Sequence, residues 1–339
     1  MTQAGPITRR RVAELAAVSE GTVSKVFNRP ESVRAHTRER VLRMADKYGY
    51  RPNKAASALR RNGSGTILLL AYAPMYQGMA RVYGVFYADA VAAVVDAINP
   101  SPYTLVMKRF SDRRELAREL DAADSDGIVL FDLAMRPPVM ELVTASSKPV
   151  VCCAQHCPDP TLNRVVVDEH GVGWLAGKRL LEAGLARPLV LTRTMSSAVH
   201  QARYIGFGDA LGEASVPQVI CADAAHAYTA IQEHIPALQA GEVDSVFAPD
   251  LMLYAAFPAL LAAGLQVPRD VAAIGCDNLE LPLPNQLRLE SVDLRMGEVF
   301  RRGAEGLLEL LAGSRERLDE RIAPCLVPGN TVSPEQGDT

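Results

Sequence analysis

The chain has 339 residues, of which 48% are hydrophobic, so a large buried core is expected and general disorder is excluded. No apolar run approaches the length of a membrane span, and no apolar stretch follows the basic N-terminus. These features predict a cytoplasmic protein without a signal peptide. The six cysteines are unevenly spaced and do not form a disulfide framework in a chain of this length.

The net charge of −3 hides an uneven distribution of charge along the chain. Residues 1–65 carry 14 Lys and Arg against 5 Asp and Glu, a charge of +9, whereas the remainder carries −12. A basic head on an acidic body suits a protein of which only the head approaches phosphate. The alternative is a disordered basic arm, which the strong helix signals of this segment oppose.

The first fifty residues predict three helices. Thr8 can cap a first helix over 9–16, and Ser19 can cap a second over 20–27. A tight turn near Ala17 separates them, which is the pattern of a helix-turn-helix. A third helix over about 35–48 closes the domain. The residues expected to be buried in these two later helices are Val23, Val26, Val41, Leu42, Ala45 and Tyr48.

Beyond the head, a helix-prone segment over 53–61 is too short to be stable alone. Short apolar runs then alternate with amphipathic helices, which indicates parallel sheets, and their number predicts two doubly wound lobes. Such sheets bind ligands at the carboxyl ends of their strands, so the cleft between the lobes is the expected ligand site. The predicted domains are the head (1–52), hinge and linker (53–65), core (66–327) and C-terminal tail (328–339).

Several stretches of the head and core form a family pattern. The head contains Val12-Ala13-Glu14, Thr22-Val23-Ser24-Lys25-Val26 and Gly49-Tyr50-Arg51-Pro52-Asn53, and the core contains Arg203-Tyr204-Ile205-Gly206-Phe207 and Gly275-Cys276-Asp277-Asn278. The chain thereby resembles the LacI/GalR family of bacterial transcription regulators. The resemblance implies an all-α helix-turn-helix head on an α/β core of two doubly wound, periplasmic-binding-protein-like lobes. It also implies a homodimer that represses transcription at a pseudo-palindromic operator and is controlled allosterically by a small effector.

The resemblance places the second helix in the major groove of DNA. Glu20 can there accept from a cytosine amino group, and Lys25 can donate to a guanine. The alternative for each such residue is an ordinary solvent-facing helix position. The implied base-edge residues are Ser19, Glu20, Gly21, Ser24 and Lys25, and the implied phosphate contacts are Thr22, Asn28, Arg29 and Thr37.

The hinge segment matches the family at Asn53, Ala56 and Leu59. In the family, two hinge helices enter the minor groove, where a leucine from each separates a base step. Leu59 stands at that position, and Ala56 is small enough for the two helices to approach. On composition alone, Leu59 is an ordinary exposed leucine.

Arg203 and Asp277 match the effector contacts of the family. An arginine opposite a carboxylate can bind two neighbouring hydroxyl groups of a ligand. The alternative is an arginine–aspartate ion pair that only stabilises one lobe. Pro249 and Ala154-Gln155 replace residues usual in the family pocket. These replacements alter the pocket. From the Arg203 and Asp277 match, the resemblance implies a sugar or sugar derivative as effector, with a nucleoside or purine-type ligand as the alternative. Further candidates near the ends of the first and third strands are Tyr72, Met75, Tyr76 and Asp132.

Two other functional classes explain less of the sequence. A stand-alone solute-binding receptor accounts for the core but not for the basic head, and an enzyme would need a catalytic constellation that is not visible. Gly206-x-Gly208-x-x-x-Gly212 has the wrong spacing for a nucleotide loop. Cys152 and Cys153 should face opposite sides of a strand, which argues against a shared metal ion. No enzyme activity, cofactor or metal is expected.

Overall fold

A computed structural model describes residues 7–28, 30–50, 63–72, 84–132, 135, 137–193, 195, 197–213 and 215–332. Within these ranges no helix combines the length and the apolar character that crossing a membrane requires. Likewise, the described His, Cys, Asp and Glu residues form no group of three or more that is placed to hold a metal ion.

The head consists of α1 (Arg9–Leu15), α2 (Glu20–Asn28) and α3 (Ala35–Lys47), with a 3-10 turn over Pro30–Ser32. The Thr8 side chain accepts a hydrogen bond from the Arg11 amide, and Ser19 Oγ accepts one from the Thr22 amide at 3.0 Å. Both predicted caps are therefore confirmed. Ala17 has a φ of 47°, in the left-handed region that a tight turn between α1 and α2 requires.

The buried centre of the head differs from the prediction at α3. Val23, Val26, Val41 and Ala45 are buried as predicted, but two other predicted core residues are exposed. Those two residues are Leu42 (43% exposed) and Tyr48 (44%).

The physical reason for the two errors is local. Leu42 follows a buried position directly and therefore lies about 100° around the helix from it. The helix ends before Tyr48, and Gly49 turns the chain with a φ of 66°. It is Tyr50 that returns to the core, where its ring packs edge-on against Phe27 at 5.8 Å.

The core contains strands and helices that alternate along much of its length. Its strands are β1 (Thr66–Tyr72), β2 (Thr104–Phe110), β3 (Gly127–Phe131), β4 (Val150–Ala154), β5 (Asn163–Val167), β6 (Pro188–Thr192), β7 (Gln218–Ile220), β8 (Ser245–Pro249), β9 (Ala272–Cys276), β10 (Glu290–Asp293), β11 (Asp319–Ile322) and β12 (Cys325–Val327). Its helices are α4 (Gly84–Ile98), α5 (Arg113–Asp121), α6 (Pro137–Ala145), α7 (Glu169–Glu182), α8 (Ala198–Leu211), α9 (Ala224–Gln239), α10 (Asp250–Ala262) and α11 (Met296–Leu311), and a 3-10 turn spans Pro284–Gln286.

The strands form two six-stranded sheets, which confirms the predicted pair of doubly wound lobes. The first sheet has the order β11-β5-β4-β3-β1-β2, with parallel neighbours throughout. The second has the order β12-β10-β9-β8-β6-β7, and its edge strand β12 is antiparallel to β10. Cys152 and Cys153 of β4 belong to hydrophobic clusters on opposite faces of the first sheet, as predicted.

The chain passes from one lobe to the other after β5, after β10 and after β11. The last passage leads into β12 and a closing segment that packs on the second sheet. The Ala273 amide donates to the Thr331 carbonyl at 2.8 Å, and both Thr331 and Val332 are buried. The core therefore extends to Val332, and the tail predicted from residue 328 begins too early, because its first residues complete the second lobe.

Candidate functional site

The predicted DNA-contacting residues of α2 lie outside the buried side formed by Val23 and Val26. Their side chains are exposed or half-buried, whereas the two valines are 0% and 3% exposed. Thr37, near the start of α3, is also half-buried. The exposed residues are Ser19, Gly21 and Lys25, and the half-buried ones are Glu20, Thr22 and Ser24.

Two of these candidates interact with each other at the start of α2. The hydroxyls of Ser19 and Thr22 lie 2.9 Å apart, and Ser19 Oγ also accepts from the Thr22 amide. The Ser19 hydroxyl thus satisfies a backbone N–H that the first turn of a helix leaves without a partner. Ser19 fixes where α2 begins, whatever further contact it makes to DNA.

Glu20 is paired with a residue that the sequence reasoning missed. Its Oε2 accepts from Arg9 Nε at 3.0 Å and lies 3.0 Å from Arg9 Nη2. The pair joins the first residue of α1 to the first residue of α2. A run of three arginines at positions 9–11 was visible, but nothing in their spacing distinguished Arg9 from its neighbours.

Several predicted site residues lie outside the described residues, and their predictions stay untested. The main chain of Asn28 closes α2, but its side chain is not described. The residues concerned are Arg29 in the head, Asn53, Ala56 and Leu59 in the hinge, and Met75 and Tyr76 in the core.

In the second lobe, Arg203 and Asp277 come together as the sequence predicts. Arg203 is only 5% exposed, and its Nη1 lies 3.5 Å from Asp277 Oδ1. A closer partner is Glu169, whose Oε2 accepts from Arg203 Nε at 2.5 Å. Arg203 Nη1 also donates to Cys276 Sγ at 3.1 Å. The sequence reasoning missed Glu169, although an acidic residue just after the buried run ending at Val167 was an available signal.

Close packing of two helices sets Arg203 against Glu169. A Cβ on Gly173 of α7 would lie 1.8 Å from the Arg203 carbonyl oxygen, and a Cβ on Gly206 of α8 would lie 2.0 Å from the His170 carbonyl oxygen. Only glycine permits two backbones to approach this closely. The Gly206-x-Gly208 pattern therefore lies within a helix, where its first glycine serves helix packing.

A hydrogen-bonded turn after β9 holds Asp277. Its backbone has a φ of 110°, a strained conformation for a residue with a side chain. The buried Asp250 carboxylate accepts from the Leu279 amide at 2.7 Å and from Ser291 Oγ at 2.8 Å. Ser291 Oγ lies 3.1 Å from the donating Asn278 amide. These bonds over-determine the turn and fix where the Asp277 carboxylate lies.

The electrostatics of this cluster follow from its burial. Burial raises the pKa of Glu169, although the adjacent Arg203 charge opposes the shift. Burial likewise raises the pKa of Asp250 well above its ordinary value, and the Asp277 charge adds to this. Burial lowers the pKa of His200 to about 4, and the Arg203 and Arg193 charges contribute in the same direction. His200 is therefore neutral at pH 7.

Two buried polar atoms in this cluster have no hydrogen-bond partner among the described residues: Glu169 Oε1 and Arg203 Nη2. A small cavity lies beside Arg203 and is lined by Thr192, His200 and Pro249 among others. Unsatisfied buried donors and acceptors are costly, so Arg203 Nη2, whose residue lines the cavity, would be stabilised by an acceptor, and Glu169 Oε1 by a donor.

The remaining candidates lie in the first lobe. Tyr72 ends β1 and is half-buried, with its ring 5.3 Å from that of Phe110. Asp132 directly follows β3 and is 5% exposed. Since β1 and β3 are parallel neighbours, both residues lie at the carboxyl edge of the first sheet. The structure thus groups Tyr72 with Asp132 in one lobe and Arg203 with Asp277 in the other.

Comparison with known proteins agrees with both halves of the molecule. Residues 10–53 match the model of bacterial regulatory proteins of the lacI family, and residues 178–332 match a periplasmic binding protein-like domain. The HTH-type transcriptional regulator CelR of Thermobifida fusca is 30% identical over 283 residues, which cover 80% of this chain and 82% of CelR. The HTH-type transcriptional repressor PurR of Aliivibrio fischeri (strain MJ11) is 26% identical, covering 96% of this chain and 98% of PurR.

A solved structure agrees as well. The transcriptional regulator CelR–cellobiose complex superimposes with a TM-score of 0.66 at 26% identity, over 96% of this chain and 99% of that one. The relatives are transcription regulators, in accord with the helix-turn-helix head and the two-lobed core. The chain therefore belongs to the LacI family of bacterial transcription regulators.

Proposed function

We propose that this chain represses transcription by binding operator DNA as a homodimer in the cytoplasm, under the control of a neutral, polyhydroxylated ligand between its lobes. The observation that carries the proposal is the combination of a basic helix-turn-helix head with a buried Arg203–Glu169–Asp277 cluster at the carboxyl edge of the second sheet. The chain acts as a regulator and not as an enzyme, in keeping with its relatives.

On the DNA side, α2 is proposed to enter the major groove with its exposed residues toward the base edges. The Lys25 side chain is exposed and can donate to a guanine, whereas Gly21 has no side chain. Thr22, Arg29 and Thr37 are proposed phosphate contacts, which set the register of the head. The hinge residues Asn53, Ala56 and Leu59 are proposed to order beside the partner's hinge in the minor groove.

On the effector side, the unsatisfied atoms of the cluster suggest the ligand chemistry. A hydroxyl group can accept from Arg203 Nη2, and the same or a neighbouring hydroxyl can donate to Glu169 Oε1. The carboxyl groups of Glu169 and Asp277 both lie against the Arg203 guanidinium, which disfavours a ligand that brings further negative charge. A neutral sugar satisfies both conditions, and cellobiose occupies the similar CelR structure.

The alternative ligand is of the nucleobase type. A ring N–H beside a carbonyl offers the same donor and acceptor on adjacent atoms. Pro249, at the carboxyl end of β8, has no side-chain amide and so cannot hydrogen-bond either ligand through one. The excess of carboxyl groups at the cluster excludes nucleotides and sugar phosphates from this proposal.

Control of repression is proposed to act through the lobes. A ligand that binds one lobe arrangement better than another shifts the equilibrium between them by its difference in affinity. The chain passes between the lobes at three strand ends, and the hinge segment over 53–61 precedes the first strand of the core. A shift of the lobes therefore changes the separation of two hinge segments in the dimer.

A thermal-shift experiment tests the effector assignment. The full chain is heated with cellobiose, sucrose, ribose, hypoxanthine, glucose or glucose 6-phosphate. We expect a neutral sugar to raise the melting temperature, and glucose 6-phosphate to give no shift. Stabilisation by hypoxanthine alone would favour the nucleobase alternative, and stabilisation by glucose 6-phosphate alone would contradict the charge argument.

Variants then assign the site. Glu169→Gln should reduce the shift given by the stabilising ligand, because it removes an acceptor beside Arg203. Glu290→Gln is a matched control, since Glu290 is also buried in the second lobe and paired with an arginine, Arg179, at 2.5 Å. An equal loss of ligand response in both variants would contradict a direct role for Glu169.

A further inference from the structure

The ion pair between Arg9 and Glu20 lies at the start of both helices of the helix-turn-helix. Glu20 Oε2 accepts a hydrogen bond from Arg9 Nε at 3.0 Å and lies 3.0 Å from Arg9 Nη2. The two side chains are 29% and 44% exposed, so the pair lies at the surface of the head and is partly shielded from water.

The geometry of the pair leaves one edge of the guanidinium available. A guanidinium carries five N–H donors in a rigid planar fork. Glu20 lies against the edge formed by Nε and Nη2, and within the described residues no contact of Nη1, on the other edge, is seen. The edge formed by Nη1 and Nη2 can donate two parallel hydrogen bonds to O6 and N7 of guanine in the major groove.

We propose that Arg9 is a base-reading residue of the operator complex, selective for guanine, and that Glu20 is a positioning residue that holds the Arg9 fork in place. The proposal rests on operator binding by α2, as proposed above. It changes the role of Glu20, which the sequence alone suggests as a direct acceptor from cytosine.

The charge of Glu20 supports this role over direct readout. An unpaired carboxylate at a DNA-facing helix start would be repelled by the phosphates, and pairing with Arg9 neutralises it. Glu20 Oε2 already accepts from Arg9 Nε and lies 3.0 Å from Nη2, so this oxygen is poorly placed to accept from a base as well. Holding Arg9 in one orientation also reduces the rotamer entropy that a free arginine loses on binding DNA.

The simpler alternative is that the Arg9–Glu20 ion pair, a staple in this sense, only stabilises the packing of α1 on α2. Partly exposed ion pairs contribute little to stability, so a staple predicts a small loss of stability and no change in base preference. Base preference is therefore the readout that separates the two roles.

The experiment is selection of DNA from a randomised pseudo-palindromic library by the full chain, followed by sequencing. The chains compared are the wild type, Arg9→Ala, Arg9→Lys, Glu20→Gln and the control Arg10→Ala. Arg10 is the neighbouring arginine, is likewise paired with a glutamate, Glu14, and is 79% exposed. A thermal melt of each variant checks that the chain is folded.

We expect the wild type to select guanine at one symmetric pair of positions. Arg9→Ala should lose that preference by about tenfold or more, the range of one bidentate arginine–guanine contact. Arg9→Lys should lose most of it, because lysine lacks the fork, and Glu20→Gln should weaken it several-fold at the same position. Arg10→Ala should bind all sequences more weakly without changing the preferred base.

Other results would overturn the proposal. Retention of the guanine preference in Arg9→Ala would show that Arg9 does not read the base. Loss of a cytosine preference in Glu20→Gln, at a position that Arg9→Ala leaves unchanged, would show that Glu20 reads DNA directly. If the wild type enriches no sequence, operator binding itself fails, which is a different result from a failure of Arg9 alone.

Discussion

At the scale of single residues, the most important charge pairing is that of the buried Arg203. Its guanidinium lies against Glu169 and Asp277, and all three side chains are less than a tenth exposed. A buried ion pair adds little over an apolar replacement of the whole group, but removal of one member leaves the others buried and unpaired.

Arg203→Met should therefore lower the free energy of unfolding by about 3–5 kcal/mol. Urea denaturation of the full chain measures this. The control is Arg187→Met, because Arg187 is exposed and lies 3.6 Å from Asp244, a contact expected to contribute less than about 1 kcal/mol. Losses of equal size in the two variants would contradict the buried-charge account.

His200 gives a prediction on pH. Burial lowers its pKa to about 4, so the folded chain binds its proton less readily than the unfolded chain does. Its contribution to stability is thus fully present above about pH 6.5 and is lost as the pH falls toward 4, by at most about 3 kcal/mol. The free energies of unfolding of the wild type and of His200→Asn, measured by denaturation, should therefore converge as the pH falls over this range. Parallel pH dependences would show that His200 titrates normally.

Sequence reasoning identified Arg203 and Asp277 but missed the closest partners of the charged residues. The family pattern marks positions as candidate ligand contacts. It does not show which side chain pairs with which, because Glu169 and Arg203 are 34 residues apart and meet only through the packing of α7 on α8. Arg9 and Glu20 illustrate the same limit in the head.

At the scale of elements, the crossing of α7 and α8 depends on glycine. Gly206→Ala would place a Cβ 2.0 Å from the His170 carbonyl oxygen, which is backbone and cannot swing away. We expect the helices to separate, with a loss of more than about 2 kcal/mol in stability. The displaced α8 also carries Arg203, so ligand response should fall with stability.

Gly297→Ala is the matched control in another helix. A Cβ there would find only ordinary contact, at 4.0 Å from Asp89. Because alanine favours helix over glycine, we expect no loss and up to about 1 kcal/mol of added stability. Thermal denaturation of both variants measures the contrast, and destabilisation of both would contradict the role of close approach.

Elements with strong local signals were predictable. Thr8 and Ser19 marked two helix starts, and the apolar runs marked the central strands, because caps and burial on both faces leave traces in the sequence. The short edge strands β7, β11 and β12 left none, since their residues are partly exposed. The exposure of Tyr48 was likewise missed, because it depends on where the chain turns after α3.

At the scale of the whole molecule, charge is divided between a basic head and an acidic core. The two-lobed architecture was predictable because helices and buried strands alternate along the chain. The points at which the chain changes lobes were not predictable, because they depend on which strands pair within each sheet. The division of charge favours binding of DNA by the head.

The measurement that tests the central claim most directly is the affinity of the full chain for its selected operator as a function of salt. Contact with phosphates through Lys and Arg predicts that affinity falls steeply, by about a thousandfold or more between 50 and 200 mM salt. Removal of residues 1–62 should abolish binding at every salt concentration. Affinity that does not depend on salt, or that survives this deletion, would contradict a repressor that reads DNA with its N-terminal helices.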